Sequence, residues 1–522
     1  MADLILSKQN RLNHAAFWLG TAAVAFGVLS HIPMFIEAAP NDFKMAGMPM
    51  SAPMLWGMAT IVAGTLLAAY GLLPTTFKQT QHVDIGAIHE ISDGQLTQAH
   101  GQLLAVLMAA LVIDMMKPAT LGFVVPGIMK EYGIAKSMVA WLPFCGLTGT
   151  TIGSWIWGIL ADRMGRRAAI LLAAILFIGT SICGAMPTFE WNLAMCFVMG
   201  LSAGGMLPIA YTLLAETIPA KHRGWSLVLI GGIGLAGGYF ASSGLAHLLE
   251  PLYGWRVLWL VGLPTGLLLI FFNRFIPESP RFLLMNGRRE EALDIMARFG
   301  TTMTSSIVAP THHDLANDGA RALVKKPLFG KTLALNLMAF AWSLVNFGIL
   351  LWMPANLKAA GYEVGEASKL LFASSLLAMP ACVITAWIYS QWSTKGTLVL
   401  MSLLTAIGLL SLSLLGTNLT MLHIPPIVVF AVLLTGSNGI IAVLLPYTAE
   451  SYPLYIRGRS TGLVAGSSKL GGVVAQIVNM LALVPPLATA GLTLAGPIMI
   501  GAALVARMGG ETRNRDLEEL DK

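Results

Sequence analysis

Charged residues are scarce in this sequence. Asp, Glu, Lys and Arg make up only 11% of its 522 residues, whereas a soluble globular protein carries about a quarter. Apolar residues account for 56%, and apolar runs of about 18 or more residues recur along the chain. The composition therefore excludes a set of water-soluble domains and predicts an all-α bundle of membrane-spanning helices.

Cysteine is also scarce. The chain has four cysteines, Cys145, Cys183, Cys196 and Cys382. They fall in separate apolar segments, which excludes a disulfide framework and a Cys-rich metal site. A phosphate-binding loop is missing too, because Lys325 stands where the first Gly should precede Gly-Lys-Thr at 330–332. We therefore expect no cofactor and no enzymatic activity.

One segment allows a metal interpretation. Residues 31–54 contain His31 together with Met34, Met45, Met48, Met50 and Met54. Clustered thioethers suit Cu(I), but Met is also a common apolar filler at membrane interfaces. We favour the filler and assign no metal.

Apolar windows predict fourteen membrane spans. The predicted spans are 14–36, 52–73, 101–126, 138–160, 168–187, 191–215, 225–247, 256–276, 332–354, 367–389, 397–416, 424–447, 460–483 and 486–507. The N-terminus lacks the compact basic region and cleavage site of a signal peptide, so we expect the first span to be retained.

Basic residues indicate the orientation of these spans. Most of the 32 Lys and Arg residues fall in the loops and tails on the side of both termini. The positive-inside rule therefore places both termini in the cytoplasm, and we expect the protein in the cell (inner) membrane. The net charge of +6 thus follows from topology and does not indicate nucleic-acid binding. The 75–100 connection, with a single Lys against three acids, fits this orientation least well.

An internal repeat divides the chain. The decapeptides AETIPAKHRG at 215–224 and AESYPLYIRG at 449–458 share Ala, Glu, Pro, Arg and Gly in register, and a long polar stretch separates the six spans around each of them. We interpret the halves as copies of one unit. The predicted divisions are an extra helix pair with a cytoplasmic connection (1–100), a six-helix bundle (101–276), a cytoplasmic linker (277–331), a second six-helix bundle (332–510) and a cytoplasmic tail (511–522).

The loop after the fourth span reads GSWIWGILADRMGRR, at 153–167. It resembles the signature between the second and third helices of the major facilitator superfamily. IPESPRFLL at 276–284 and ETRNRDLEEL at 511–520 are similar to segments of the sugar-porter branch. FGILLWMPANLKAAGY at 347–362 looks more like the organic-ion and metabolite–proton symporter branches. The resemblance implies two six-helix bundles around a central solute site.

Two positions depart from the family pattern. Cys196 stands where many proton-coupled members have an Arg in the fourth core helix. The second copy of the loop signature is reduced to QWSTKG at 391–396 and lacks its acid. Neither functional group can therefore be carried over to this chain.

The resemblance implies gating roles at the ends of the helices. Gly153 and Gly158 would let two helices approach closely, Asp162 would accept hydrogen bonds from helix-end amides and basic partners, and the arginines of the loop would anchor it at the inner face. A merely exposed charged turn is the alternative. We also expect ion pairs within the repeated decapeptides. The predicted gating residues are Gly153, Gly158, Asp162, Arg163, Arg166, Arg167, Glu216, Arg223, Glu450 and Arg457.

Asp114 and Lys117 lie three residues apart in the predicted span 101–126, and so on one helical face. Charges inside a membrane are costly and usually line a path for solute or protons. Pro118 and Gly122 follow, as in interrupted helices that expose backbone to a substrate. We expect Asp114 to exchange a proton. Lys117 would pair with Asp114 in the empty protein and with an anionic group of the bound solute, although a static packing pair is the alternative.

Other residues of the spans are expected to bind solute together with Asp114 and Lys117, because polar groups are costly in lipid. They are Trp141, Tyr211, Trp342, Asn346, Asn438, Gln476 and Asn479. Packing against neighbouring helices is the alternative for each of them.

The resemblance implies a secondary active transporter working by alternating access. We expect proton-coupled symport of a small polar organic metabolite, with a slight preference for an organic anion. An uncoupled facilitator, an efflux antiporter and a transporter-like receptor or scaffold are the alternatives. The expected partners are the solute, protons and the lipid bilayer, without nucleic acid. We expect a monomer in which the extra helix pair offers an oligomer contact.

Overall fold

The structure, a computed structural model, describes residues 2–73, 88–90, 94–303, 323, 328–416 and 425–513. Most of the predicted 75–100 connection, much of the linker 277–331 and the tail beyond residue 513 therefore lie outside the described residues. Within the described chain the architecture is almost entirely helical, as the composition predicts.

The helices are, in chain order, α1 (Ala2–Leu29), α2 (Ile32–Glu37), α3 (Ala52–Leu72), α4 (Gln98–Tyr132), α5 (Lys136–Val139), α6 (Trp141–Met164), α7 (Arg166–Gly179), α8 (Phe189–Thr217), α9 (Ala220–Tyr253), α10 (Val257–Leu260), α11 (Gly262–Phe271), α12 (Pro280–Met285), α13 (Arg289–Arg298), α14 (Phe329–Val345), α15 (Met353–Ala359), α16 (Val364–Gln391), α17 (Thr394–Gly416), α18 (Pro426–Ser451), α19 (Leu454–Met480) and α20 (Leu487–Met508). Turns of 3-10 helix lie at Ala39–Asn41, Thr180–Ala185 and Phe272–Phe275, and a π-helical turn, Asn346–Leu350, extends α14. Two short strands, β1 (Ile88–Glu90) and β2 (Thr301–Met303), pair antiparallel.

Thirteen helical segments of the described chain are long and apolar enough to cross a membrane. The predicted span 460–483 is absent from this set. It lies in α19, a helix of 27 residues whose Gly, Ser and Lys content makes it less apolar. The predicted span 424–447 is confirmed as one continuous helix, because α18 passes through Gly436 and Gly439 without a break.

The two repeated decapeptides form the same turn. Helices α8 and α18 each end before an extended residue followed by Pro, namely Ile218-Pro219 and Tyr452-Pro453. Proline disfavours helical dihedrals in the residue before it. This effect ends both helices at equivalent points and lets α9 and α19 begin in a new direction.

Small residues set the packing within each half. Cβ atoms placed on Gly149 and Gly153 of α6 would meet the backbone of α8, and one on Gly408 of α17 would meet the backbone of α18. Such close approaches are the common way for helices to associate in lipid. The halves meet where α9 contacts α16 and α18, where α6 contacts α19, and where α4 contacts α15.

The extra pair, α1 and α3, packs through glycines that include Gly20 and Gly64, and both helices also lie against α7. The loop between them is fixed to the first half. The backbone N–H groups of Met45 and Ala46 donate to Glu131 of α4 at 2.7 and 2.9 Å, and Glu131 forms a buried ion pair with Arg256 at 2.7 Å.

The two ends of the bundle differ. We call the end that carries the α6–α7 turn the Asp162 face, and the other end the opposite face. At the opposite face the halves touch, because Lys136 donates to Asn356 at 2.9 Å and His247 bonds the carbonyl of Gly365 at 3.1 Å.

Towards the Asp162 face, α6 and α19 part. Leu147 of α6 lies beside Gly472 of α19, but no described atom lies within 4 Å of a Cβ placed on Gly158, three turns further along α6. The same holds for Gly462 and Gly466 of α19. The space between the halves is therefore closed at the opposite face and open between α6 and α19 at the Asp162 face.

Candidate functional site

Asp114 lies in the middle of α4 and is 2% exposed. One of its carboxylate oxygens is buried and has no hydrogen-bond partner among the described residues. Two lysines act on its charge, and the attraction of Lys469 exceeds that of Lys117. Because Lys469 belongs to α19, this electrostatic interaction links the two halves of the bundle.

Lys469 was not among the predicted site residues, although the criterion that selected Asp114 also applies to it. It is a lone cation within a predicted span, and charges there are costly. Its side chain is only partly buried, and α19 is the helix that parts from α6 towards the Asp162 face. Lys469 therefore belongs to a helix that borders the opening between the halves.

Lys117 points away from the boundary between the halves. Its ammonium donates to the carbonyl of Phe177 and, at 2.7 Å, to the hydroxyl of Thr180. It also lies 4.0 Å from the centre of the Phe177 ring. No ion pair joins Lys117 to Asp114 within the described chain. The expected direct pairing is corrected, because hydroxyls and a carbonyl at the end of α7 satisfy this ammonium.

Some of the other predicted solute-binding residues form helix contacts in the second half. Trp342 donates to the carbonyl of Ser437 at 2.8 Å. Gln476 accepts from Trp352 at 3.2 Å and donates to the carbonyl of Phe347 at 2.8 Å. These bonds fix the packing of α14 and its π-helical turn against α18 and α19.

The rest divide between the interior and the opposite face. Asn346 opens the π-helical turn, Asn438 is 8% exposed on α18, and Tyr211 lies against Gly231. Trp141 is 44% exposed and lines a cavity at the opposite face, so the expectation that it faces the centre is corrected. Asn479 also lies towards the opposite face, where it lines a second cavity.

The α6–α7 turn is joined to α8 by a charge network. Arg166 lies 3.5 Å from Asp162 and 3.3 Å from Glu216. Arg163 is exposed. Gly153 lies against the backbone of Leu201 of α8, but no other helix of the described chain comes within 4 Å of a Cβ placed on Gly158. The expected close helix approach therefore occurs at Gly153 and is absent at Gly158.

Glu450 lies between the halves at the Asp162 face. It accepts from the Tyr389 hydroxyl at 2.5 Å and from Thr512 at 3.0 Å, and the charge of Arg223 from α9 attracts it. Arg457 donates to the carbonyl of Tyr452 at 3.4 Å. Attraction between Arg223 and Glu450 therefore crosses the boundary between the halves.

Glu278 caps the start of α7. One carboxylate oxygen accepts from the backbone N–H of Arg166 at 2.7 Å, of Arg167 at 3.3 Å and of Ser279 at 2.9 Å. The dipole of α7 also favours a negative charge at this end of the helix. Burial raises the pKa of Glu278 in spite of these donors and of the charge of Arg166. Arg167 also donates from its side chain to Asn273 at 2.7 Å.

Glu511 caps the start of α17 in the second half. It accepts from the hydroxyl of Ser393 and, at 2.5 Å, from that of Thr394. Backbone N–H groups of Thr394 and Arg513 donate to it at 3.0 Å each. Burial alone would raise the pKa of Glu511, but these bonds outweigh burial and lower it to about 2. Both caps lie within segments that carry the family resemblance, although the sequence did not assign them this role.

Known transporters are similar to this chain along most of its length. The niacin transporter NiaP of Acinetobacter baylyi is 26% identical over 444 residues, which cover 83% of this chain and 99% of that protein. The benzoate transport protein of the same species is 26% identical over 411 residues, covering 76% and 86%. Its 4-hydroxybenzoate transporter PcaK is 23% identical over 414 residues, covering 76% and 87%.

Solved structures share the fold. The proton:xylose symporter XylE bound to 6-bromo-6-deoxy-D-glucose matches with a TM-score of 0.64 at 19% identity, covering 82% of this chain and 99% of that one. The human organic anion transporter MFSD10 matches with a TM-score of 0.57 at 14% identity, covering 78% and 99%. The sequence profile of the Major Facilitator Superfamily matches residues 103–476. The resemblance is thereby confirmed, and this multi-pass membrane protein belongs to the Major Facilitator Superfamily as a transporter and not an enzyme.

Proposed function

We propose that the protein is a proton-coupled symporter of a small aromatic carboxylate, with Lys469 as the group that binds the carboxylate and Asp114 as the group that carries the proton. The observation that supports this most directly is the attraction between Asp114 of one half and Lys469 of the other. A solute carboxylate that pairs with Lys469 neutralises the charge that favours ionised Asp114. Asp114 then binds a proton, and solute and proton are carried together.

The relatives support the substrate class. Niacin, benzoate and 4-hydroxybenzoate, which the relatives are named for, each combine one aromatic ring with one carboxyl group. A single cation suits such a solute, because it neutralises one carboxylate in a low-dielectric interior. The XylE match supports proton coupling, since that protein is named a proton symporter.

Uptake into proteoliposomes tests this proposal. With radiolabelled nicotinate or benzoate and an inward proton gradient, Asp114→Asn should abolish accumulation but keep counterflow exchange, since the neutral amide mimics the protonated carboxyl. Lys469→Gln should abolish both, because the solute loses its counter-charge. Lys369→Gln, which removes an exposed lysine from α16, serves as the matched control and should transport normally. Accumulation by Asp114→Asn with an unchanged pH profile would refute the proton role.

We also propose that the Asp162 face lies in the cytoplasm of the inner membrane and that the protein is a monomer. The excess of basic residues on that side supports the orientation. A cysteine introduced at exposed Arg163 should react with membrane-permeant maleimides only. Labelling of this cysteine in intact cells by an impermeant reagent would show that the Asp162 face lies outside the cell and would refute the proposed orientation.

A further inference from the structure

A second cavity lies at the opposite face, away from Asp114 and Lys469. Its volume is about 440 Å³, within the range of small-ligand sites. It lies at the junction of the two halves, because Lys136 lies at the start of α5 in the first half, whereas Asn356 and Asn479 belong to α15 and α19 of the second.

The charge in this cavity is positive. Lys136 is its one charged lining residue among the described residues, and no acidic side chain lines it. The Lys136 ammonium donates to Asn356 at 2.9 Å and lies 5.0 Å from the centre of the Trp352 ring. It forms no ion pair within the described chain. Leu487, the first residue of α20, also lines the cavity, so the positive end of that helix dipole is directed towards an anion there.

Asn479 adds an unused hydrogen-bond acceptor. It is 4% exposed, and its side-chain amide donates to the carbonyl of Ala475 at 2.9 Å. That bond identifies the other atom of the carboxamide as the oxygen, which is buried without a partner in the described chain. A buried acceptor without a donor is costly, and a hydroxyl group on a ligand would satisfy it.

Apolar groups form the remaining wall. They include Ile349, Val484, Pro485, Pro486 and Ala490. A ligand that fits all three features carries a carboxylate for Lys136, a hydroxyl for Asn479 and an apolar ring or chain for the wall.

We infer that this cavity is a second binding site for a small hydroxylated organic acid, at the opposite face of the closed protein. The inference rests on the proposed function, because it places a solute of that class on the transport path. Asn479 and Lys469 are separated by about 15 Å along α19, at ~1.5 Å per residue. Opening of the opposite face separates Lys136 from Asn356 and Asn479, and so releases the acid next to the central chamber.

Calorimetric titration of the full-length protein with 4-hydroxybenzoate tests the inference. The wild type should show two sites. Lys136→Gln should lose one of them or weaken it about tenfold, as expected when a charge-assisted hydrogen bond is removed, while Lys136→Arg keeps it. Lys130→Gln removes an exposed lysine at the same face and should retain both sites.

The two sites are separated by their variants. Lys469→Gln should lose the central site and leave the one that depends on Lys136, so a failure of the proposed function is seen independently. Asn479→Leu should reduce the affinity of the Lys136 site for 4-hydroxybenzoate and leave its affinity for benzoate unchanged. A single site in the wild type, or two unchanged sites in Lys136→Gln, would overturn the inference.

Discussion

Glu278 and Glu511 occupy matching positions in the two halves. Each follows the last helix of its half and accepts hydrogen bonds at the start of the helix after the signature loop, α7 for Glu278 and α17 for Glu511. Glu278 is the more deeply enclosed and receives three backbone donors on one oxygen. Glu511 is partly exposed and receives hydroxyl as well as backbone donors.

The difference between these caps shows how the second half holds its turn without the acid and the arginines of the first-half signature. Its loop, QWSTKG, has no acid or arginine, but its Ser393 and Thr394 supply hydroxyls that bind Glu511. In the first half, Arg166 joins Asp162 and Glu216 instead. One architecture is thus held by ion pairs in one half and by hydroxyl groups in the other.

Removal of the Glu511 charge should have the largest effect on stability. Bonds to a charged acceptor contribute about 1.5–3 kcal/mol, and solvent screening lowers this at a partly exposed site. Glu511→Gln should therefore lower the unfolding free energy by about 1–2 kcal/mol. Thermal unfolding in detergent should show a melting temperature several degrees below wild type. Exposed Glu290, changed to Gln, is the control, and an equal drop in both variants would contradict the cap.

Glu278→Gln should have a smaller effect of opposite sign and raise the melting temperature slightly at pH 7, because burial raises the pKa of Glu278 and so favours the neutral form that the amide mimics. The difference in melting temperature between this variant and wild type should shrink on acidification from pH 7. Wild-type Glu278 takes up its proton at a pH above 4.5, the ordinary pKa of a glutamate. The stabilising effect of that proton is fully present below 4.5 and is lost as pH rises through the raised pKa.

The Glu511 contribution has the opposite pH dependence. Because the pKa of Glu511 is lowered to about 2, its stability contribution is present above pH 4.5 and is lost only as the pH falls towards 2. The difference in melting temperature between wild type and Glu511→Gln should therefore persist at pH values at which the difference for Glu278→Gln has disappeared. Parallel pH dependence of the two differences would show that the caps do not differ.

Ser393→Ala should have the smallest effect. It removes one of several donors to Glu511, so the pKa of that carboxyl should rise towards its ordinary value while the other bonds hold the cap. The loss of the Glu511 stability contribution should then be complete at a higher pH than in wild type. An unchanged acid transition would exclude a role for this hydroxyl.

The fold was predictable from the sequence because the length of an apolar run directly indicates a membrane-spanning helix. The repeated decapeptides predicted two copies of one unit, and both copies form the same turn before a proline. The site was harder to predict. Spacing placed Lys117 on the same face as Asp114, but a long flexible side chain can turn to whichever acceptors lie near its end, here those of α7. Neither the electrostatic attraction between Asp114 and Lys469 nor the caps at Glu278 and Glu511 could be derived, because each joins residues far apart in the chain.

The anchoring of the extra pair has a consequence for movement. Since α1 and α3 lie against α7 and the loop between them is bonded to Glu131, these two helices belong mechanically to the first bundle. If the bundles rock as proposed, these two helices would move with the first bundle. A fluorophore attached to α3 would keep a constant separation from the first bundle and report the swing of the second.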